Sequence, residues 1–173
     1  MRQGDPGNPP SSQGGPIDNI LAQWRRERPD VDPSPMAVVG EIWRAGERLR
    51  QGVVANVASA DLDFAGFDVL LTLRRNGRTQ ALSPSALAKD MMLSTSAMTN
   101  RLDRLEKRGL IARKTDPEDR RGLQIMLTDA GFALVDGLVD SHVATEERML
   151  AALSQAERAI LRELLGKIGG LTE

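Results

Sequence analysis

The stretch from Leu82 to Leu127, LSPSALAKDMMLSTSAMTNRLDRLEKRGLIARKTDPEDRRGLQIML, leaves little choice of fold, because two short amphipathic helices and a basic hairpin follow one another directly. Ser83-Pro84 opens the first helix, since the hydroxyl caps orphan N–H groups and a proline at the first helical position misses no donor. Leu87 and Met91 mark its core face. Ser94 then caps a second helix on which Ala97, Met98, Leu102 and Leu105 fall at helical spacing. That spacing turns Thr95, Ser96, Thr99, Asn100, Asp103, Arg104 and Lys107 outward. Gly109 is positioned to end the helix in the left-handed conformation. Leu110 to Thr115 and Leu123 to Leu127 read as two strands, joined by the turn-forming segment Asp116-Pro117-Glu118-Asp119-Arg120-Arg121-Gly122. Helix, turn, helix and hairpin in this order make a winged helix-turn-helix.

Small hydroxyls and an amide at a helix N-terminus fit a major groove: the side chains reach base edges while terminal amides and nearby cations hold phosphates. The candidate DNA-binding residues of the second helix are therefore Ser94, Thr95, Ser96, Thr99, Asn100 and Arg104. A projecting ribbon tipped with arginine suits a narrow minor groove, which adds Arg120 and Arg121. The plainer alternatives are a solvated helix face and a solvated loop pair, one of whose arginines bridges to Asp116 or Asp119. One structural arginine and one reader, Arg121, is the expectation. Charge favours DNA: from Ser94 to Arg121 there are eight Lys or Arg against five Asp or Glu, a local +3 in a chain whose net charge is −1. The positive field is confined to one edge of an otherwise acidic body.

The ordered combination resembles the MarR family of bacterial transcriptional regulators, roughly from the Trp24 helix to the C-terminal helix. Its most specific elements are the D-x-x-D-R-R-G wing, met here from Asp116 to Gly122, and the L-T-x-x-G that opens the next helix as Leu127-Thr128-Asp129-Ala130-Gly131. The resemblance implies a ligand-responsive regulator of double-stranded DNA, most naturally a repressor. In the family the terminal helices interlock as a homodimer. A two-fold dimer reads an inverted repeat whose half-sites lie about one helical turn, roughly 10 base pairs, apart.

The remaining pattern fits a mainly α fold with a small β wing and dimerisation helices at both ends. Residues 1–16 are dense in Gly, Pro, Ser, Asn and Gln and read as a disordered tail. Residues 17–173 form the MarR-like domain. Within it, Ile17, Ile20, Leu21 and Trp24 mark an extra amphipathic helix over 17–28 that ends before Pro29. Residues 34–59, opened by Ser34-Pro35 and carrying Val39, Ile42, Trp43, Gly46, Leu49 and Val53, form one dimerisation helix. Phe64, Phe67, Leu70, Leu71 and Leu73, closed by Asn76-Gly77, begin the winged helix-turn-helix of 60–127. Thr128 caps a long helix, Ser154 to Glu157 form a capping box, and 128–170 supply the second dimerisation region.

Trp24, Asp68, Arg101 and Arg113 match, in order and surroundings, four residues of the urate-responsive, PecS-like branch of the family. That narrower resemblance implies a ligand site for a small urate-like anion, with the Trp24 ring to stack on and the Arg101 guanidinium to hold its acceptor atoms. Asp68 is then the residue repelled when the anion arrives, and Arg113 carries the change toward the wing. The plainer roles are a core anchor for Trp24, a solvated or cap-like carboxylate for Asp68, and phosphate contacts for the two arginines. The same four residues suit xanthine, trans-aconitate or a phenolic acid.

The 173-residue chain has no cysteine and a single histidine, His142. Disulfides and a thiol switch are excluded, and with them the peroxide sensing of some MarR relatives. A tight zinc site is not expected, since it gathers several His, Cys or carboxylate ligands. No metal or cofactor is expected. An enzyme finds no support either: there is no G-x-S-x-G elbow and no phosphate-binding glycine loop. A winged helix used only for protein contacts is the remaining alternative. No apolar run approaches a membrane span and the N-terminus lacks the apolar centre of a signal peptide, so no membrane partner and a soluble, cytoplasmic protein are expected.

Overall fold

The structure, a computed structural model, describes residues 15–91, 98–115 and 122–168. The chain divides into two compact units, residues up to Arg48 and residues from Leu49 on.

The first unit holds helix α1 (Pro16–Glu27) and the first half of α2 (Ser34–Val57). Pro16, expected to belong to the tail, is instead the first helical residue, because its fixed φ suits that position and no N–H is missed there. The Asp18 carboxylate accepts the Gly15 N–H at 2.7 Å and closes the helix start. Asp32 does the same ahead of α2, accepting both the amide and the hydroxyl of Ser34, which together hold its carboxyl below its ordinary value. Ile17 and Leu21 are buried, and Ile17 packs where any side chain at Gly40 would stand. Ile20, Met36, Val39 and Trp43 remain exposed around a groove of about 420 Å³.

The second unit is built on α3 (Phe64–Asn76), which follows the end of α2 and a 3-10 turn, Ala58–Ala60. Its one face after another is buried: Phe67, Val69, Leu70, Thr72 and Leu73 are all inside, as expected of a helix covered on several sides. Gly77 ends it at φ 114°, a conformation that glycine adopts without strain. Around it pack α4 (Pro84–Asp90), α5 (Met98–Lys107) and α6 (Asp129–Met149), and α7 (Gln155–Gly166) follows α6. Strands β1 (Ile111–Thr115) and β2 (Leu123–Leu127) pair antiparallel, with Ile111 opposite Leu127 and Thr115 opposite Leu123. Leu82 adds a third short rung that the sequence did not announce, exchanging both backbone bonds with Ile125 at 2.9 and 2.8 Å.

Three of the caps expected from sequence form, and that of Ser94 lies outside the described residues. Ser83 Oγ accepts Ala86 N–H, Thr128 Oγ1 accepts Gly131 N–H, and Ser154 and Glu157 close a capping box. Arg158 ties the α6–α7 corner through a bidentate pair with Glu147, both contacts at 2.7 Å, and through the carbonyls of Leu150 and Leu153. Arg158 beside Glu147 holds that carboxyl below its usual value, and the Ser154 hydroxyl does so for Glu157. Both contributions are therefore present at neutral pH and disappear as pH falls through the lowered values. Among the described residues no helix is long and apolar enough to cross a membrane.

The junction between wing and α6 explains the L-T-x-x-G pattern. Thr128 N–H donates to the Leu110 carbonyl at 3.2 Å and its hydroxyl donates to the Gly109 carbonyl at 2.6 Å, so the helix start is seated on the end of the α5 turn. A Cβ at position 131 would stand 1.8 Å from the Leu110 carbonyl oxygen, which is backbone and has no room to yield. Gly131→Ala is therefore expected to cost about 3 kcal/mol or more in urea unfolding. Gly109→Ala, with open space around it and only its positive φ to strain, is expected to cost about 1 to 2 kcal/mol. Equal losses for the two variants contradict this account.

Candidate nucleic-acid interface

Helix α5 is amphipathic in the expected sense: Leu102 and Leu105 are buried, while Thr99, Asn100, Asp103, Arg104 and Lys107 are exposed. Gly109 ends its turn at φ 69°. Thr99 and Asn100 thus stand on the solvent side of the first described turn, where a groove-reading helix places its base contacts. The other proposed contacts Ser94, Thr95 and Ser96, and the wing residues Arg120 and Arg121, lie outside the described residues.

Arginines hold α5 from two sides. On one side Arg113 of β1 donates to Asp103 at 2.6 Å and to Glu106 at 2.8 Å, with its side chain only 24% exposed. The two acceptors sit one turn apart on α5, so a single guanidinium spans them and links the wing to the helix. In this geometry two carboxylates of α5 hold the guanidinium and compete with a phosphate for it. On the other side Arg104 donates to Asp63 at 2.9 Å, and Arg108 donates to the carbonyls of Ala60, at 2.8 Å, and Asp61. Asp61 itself adopts a left-handed conformation at φ 53°, which turns those carbonyls toward Arg108.

Of the expected ligand set, Asp68, Arg101 and Arg113 belong to the second unit and Trp24 to the first. Asp68 on α3 is 4% exposed, so it is neither solvated nor a helix cap; the cap of α3 is Asp63, whose carboxylate accepts Gly66 N–H at 2.7 Å. Arg101 is half-buried and borders a cleft of about 20 Å³ with Asp61, Asp63, Arg104 and Arg108, room for about one water. Arg113 borders a different groove of about 450 Å³, together with Pro84, Thr99, Leu102 and Leu123. Among the clefts lined by described residues, the two arginines border different ones. Trp24 belongs to the N-terminal unit and is 42% exposed, more than a core anchor would be. His142 on α6 is a packed helix residue, edge-on to the Phe67 ring at 5.0 Å and 3.3 Å from Glu146. Asp63 and Arg108 are the positions that sequence reasoning passed over. Asp63 was findable as a capping residue directly before the Phe64 helix.

The sequence model of the MarR family matches residues 65–123, the span from α3 to the first residue of β2. The transcriptional regulator PecS of Dickeya dadantii is 40% identical over 152 residues, which is 88% of this chain and 92% of that protein. Among solved structures, Bordetella bronchiseptica BpsR, whose DNA binding is regulated by 6-hydroxynicotinic acid, is similar with a TM-score of 0.69 and 28% identity, over 77% of this chain and 93% of that one. The transcriptional repressor CouR, bound to a 23-mer DNA duplex, is similar with a TM-score of 0.64 and 31% identity, over 74% and 89%.

Arg113→Ala leaves Asp103 and Glu106 without their shared cation on the helix expected to face DNA. The expected result is a loss of roughly tenfold in affinity for a DNA duplex at low salt that narrows as salt screens the exposed carboxylates. A loss independent of salt, measured by fluorescence anisotropy, contradicts this electrostatic role.

Proposed function

The chain belongs to the MarR family of DNA-binding transcriptional regulators, and on that premise we propose that it is a homodimeric repressor released from an inverted-repeat operator by a small planar anion of the urate class. It is a regulator and not an enzyme. Thr99 and Asn100, with Ser94, Thr95 and Ser96 ahead of them, are the proposed base and phosphate contacts, Arg120 and Arg121 the proposed cationic ones, and Arg104 a cation that reaches DNA only when it leaves Asp63. The cytoplasm is the proposed compartment, where operator DNA is found.

The observation that carries the ligand reading is the burial of Asp68. A carboxylate at 4% exposure is costly to keep inside a domain, and an approaching anion is repelled far more strongly there than in water. Arg101, on the same helix that reads DNA, is the proposed cation for the anion. Drawing it from its cleft shifts α5, and Arg113, bound to Asp103 and Glu106, passes the shift to the wing. Trp24 enters this set through the resemblance to the urate-responsive branch. Regulation of the similar BpsR by 6-hydroxynicotinic acid, another planar anion, supports the ligand class. Xanthine, trans-aconitate and phenolic acids are the competing ligands. Release needs only a coupling of about 1 to 3 kcal/mol between ligand and operator.

The dimer reading rests on apolar surface. Ile160, Leu161, Leu164 and Leu165 recur at helical spacing along α7, Ile168 follows in the turn after it, and all are exposed in the single chain. A stripe of that length on a terminal helix marks an interface, and two-fold closure is its commonest form. Sedimentation is expected to give a dimer at micromolar concentration. A stable monomer removes the palindromic operator with it.

The ligand reading is tested by anisotropy on the duplex upstream of the protein's own gene, titrated with urate, xanthine and trans-aconitate. Asp68→Asn is expected to bind that duplex as the unaltered protein does while responding weakly to urate. Trp24→Phe, read against the remaining Trp43, is expected to lose ligand-induced quenching. If Asp68→Asn releases DNA at the same urate concentration and Trp24→Phe keeps full quenching, the anion enters elsewhere.

A further inference from the structure

Asp63 uses both oxygens. Oδ1 accepts Gly66 N–H at 2.7 Å and so caps α3, and Oδ2 accepts Arg104 Nη1 at 2.9 Å across 41 residues of sequence. Capping alone does not call for a carboxylate, since Ser or Asn caps a helix equally well. Gly66 makes room for this arrangement: a Cβ there would stand 2.9 Å from Asp63 Oδ1 and 3.6 Å from Leu105 of α5. Stability does not call for the pair either, because the Arg104 side chain is 71% exposed and a pair so solvated contributes little.

The direction of Arg104 is the informative feature. It sits on the exposed face of α5 among Asn100, Asp103 and Lys107, yet its guanidinium is bound by a carboxylate at the start of α3. A carboxylate and a backbone phosphate offer the same acceptor oxygens to a guanidinium and compete for it. Arg108, beside it, is likewise occupied by the carbonyls of Ala60 and Asp61.

We propose that Asp63 is a positioning residue that sets DNA specificity by holding Arg104 against capture by phosphates of any sequence. Cations that are free to grip phosphate raise affinity for all DNA alike, whereas base contacts raise it only for the operator. With Arg104 retained by Asp63, the sequence-independent part of binding is kept low and Thr99 and Asn100 decide. The inference rests on the reading of α5 as the DNA-facing helix.

The test uses the full chain with two duplexes of equal length, one the operator and one of random sequence, between about 50 and 200 mM salt. Asp63→Asn and Asp63→Ser both retain an oxygen for Gly66 N–H and remove the charge, so either one that folds serves. Affinity for the random duplex is expected to rise about fivefold to tenfold at low salt, with the salt slope steepening by about 1, the amount for one added phosphate contact. The ratio of operator to random affinity falls accordingly. Adding Arg104→Gln to Asp63→Asn is expected to return the slope to no more than its original value. A role confined to capping, which Asn and Ser retain, leaves the slope and the random-duplex affinity unchanged, and that result overturns the proposal. A steeper slope that survives in the double variant also overturns it. If the unaltered protein binds neither duplex at low salt, it is the DNA-facing reading of α5 that fails, and this inference fails with it.

Discussion

Helix α5 is kept in place by two kinds of force of very different size. Burial of Leu102 and Leu105 contributes about 1.5 to 3 kcal/mol each and keeps the helix in the fold. The ion pairs on its flanks, Arg113 with Asp103 and Glu106 and Arg104 with Asp63, are exposed enough that each contributes about 1 kcal/mol or less. The apolar seat therefore decides that the helix is present, and the weak polar contacts decide its setting. A ligand coupling of about 1 to 3 kcal/mol is too small to unseat the helix and large enough to reset its flanks. That difference in scale is what makes a reading helix adjustable without unfolding.

Helix α3 is the fixed reference for those adjustments. Its cap Asp63 holds Arg104, its Phe67 meets His142 of α6 edge-on, and its last turn carries Arg74, which pairs with Asp136 and lies over the Phe132 ring at 4.6 Å. Arg78, just beyond the helix, stacks on the same ring from 4.6 Å. The wing is fixed to α6 by backbone, through the seat of Thr128 and Gly131 on the Leu110 carbonyl. A movement of α5 is thus measured against neighbours that are themselves tied down, and Arg113 is the polar link by which it reaches the strand β1.

What was legible in the sequence was local. Ser83, Thr128, Ser154 with Glu157, Gly77 and Gly109 all act within three or four residues of themselves, so their chemistry could be read in place. The alternation of Leu102 and Leu105 with exposed Thr99, Asn100 and Arg104 was legible for the same reason. What a guanidinium pairs with was not. Arg104 finds Asp63 at a distance of 41 residues, and Arg113 finds two carboxylates of α5, because tertiary packing selects among many equally charged partners. The burial of Asp68 was hidden likewise, since a single acid in F-D-V-L-L carries no sign of which helix faces are covered. Arg101 and Arg113, which the resemblance to the urate-responsive branch groups, each border a cleft lined by different described residues.

Anion and operator are proposed to compete through one helix, and linkage gives that competition a direct measurement. Operator affinity is determined with and without saturating urate, and urate affinity with and without saturating operator. Two sites coupled through α5 require the same factor in both directions, of about 5 to 150. Unequal factors, or an operator affinity that urate leaves unchanged, contradict the account.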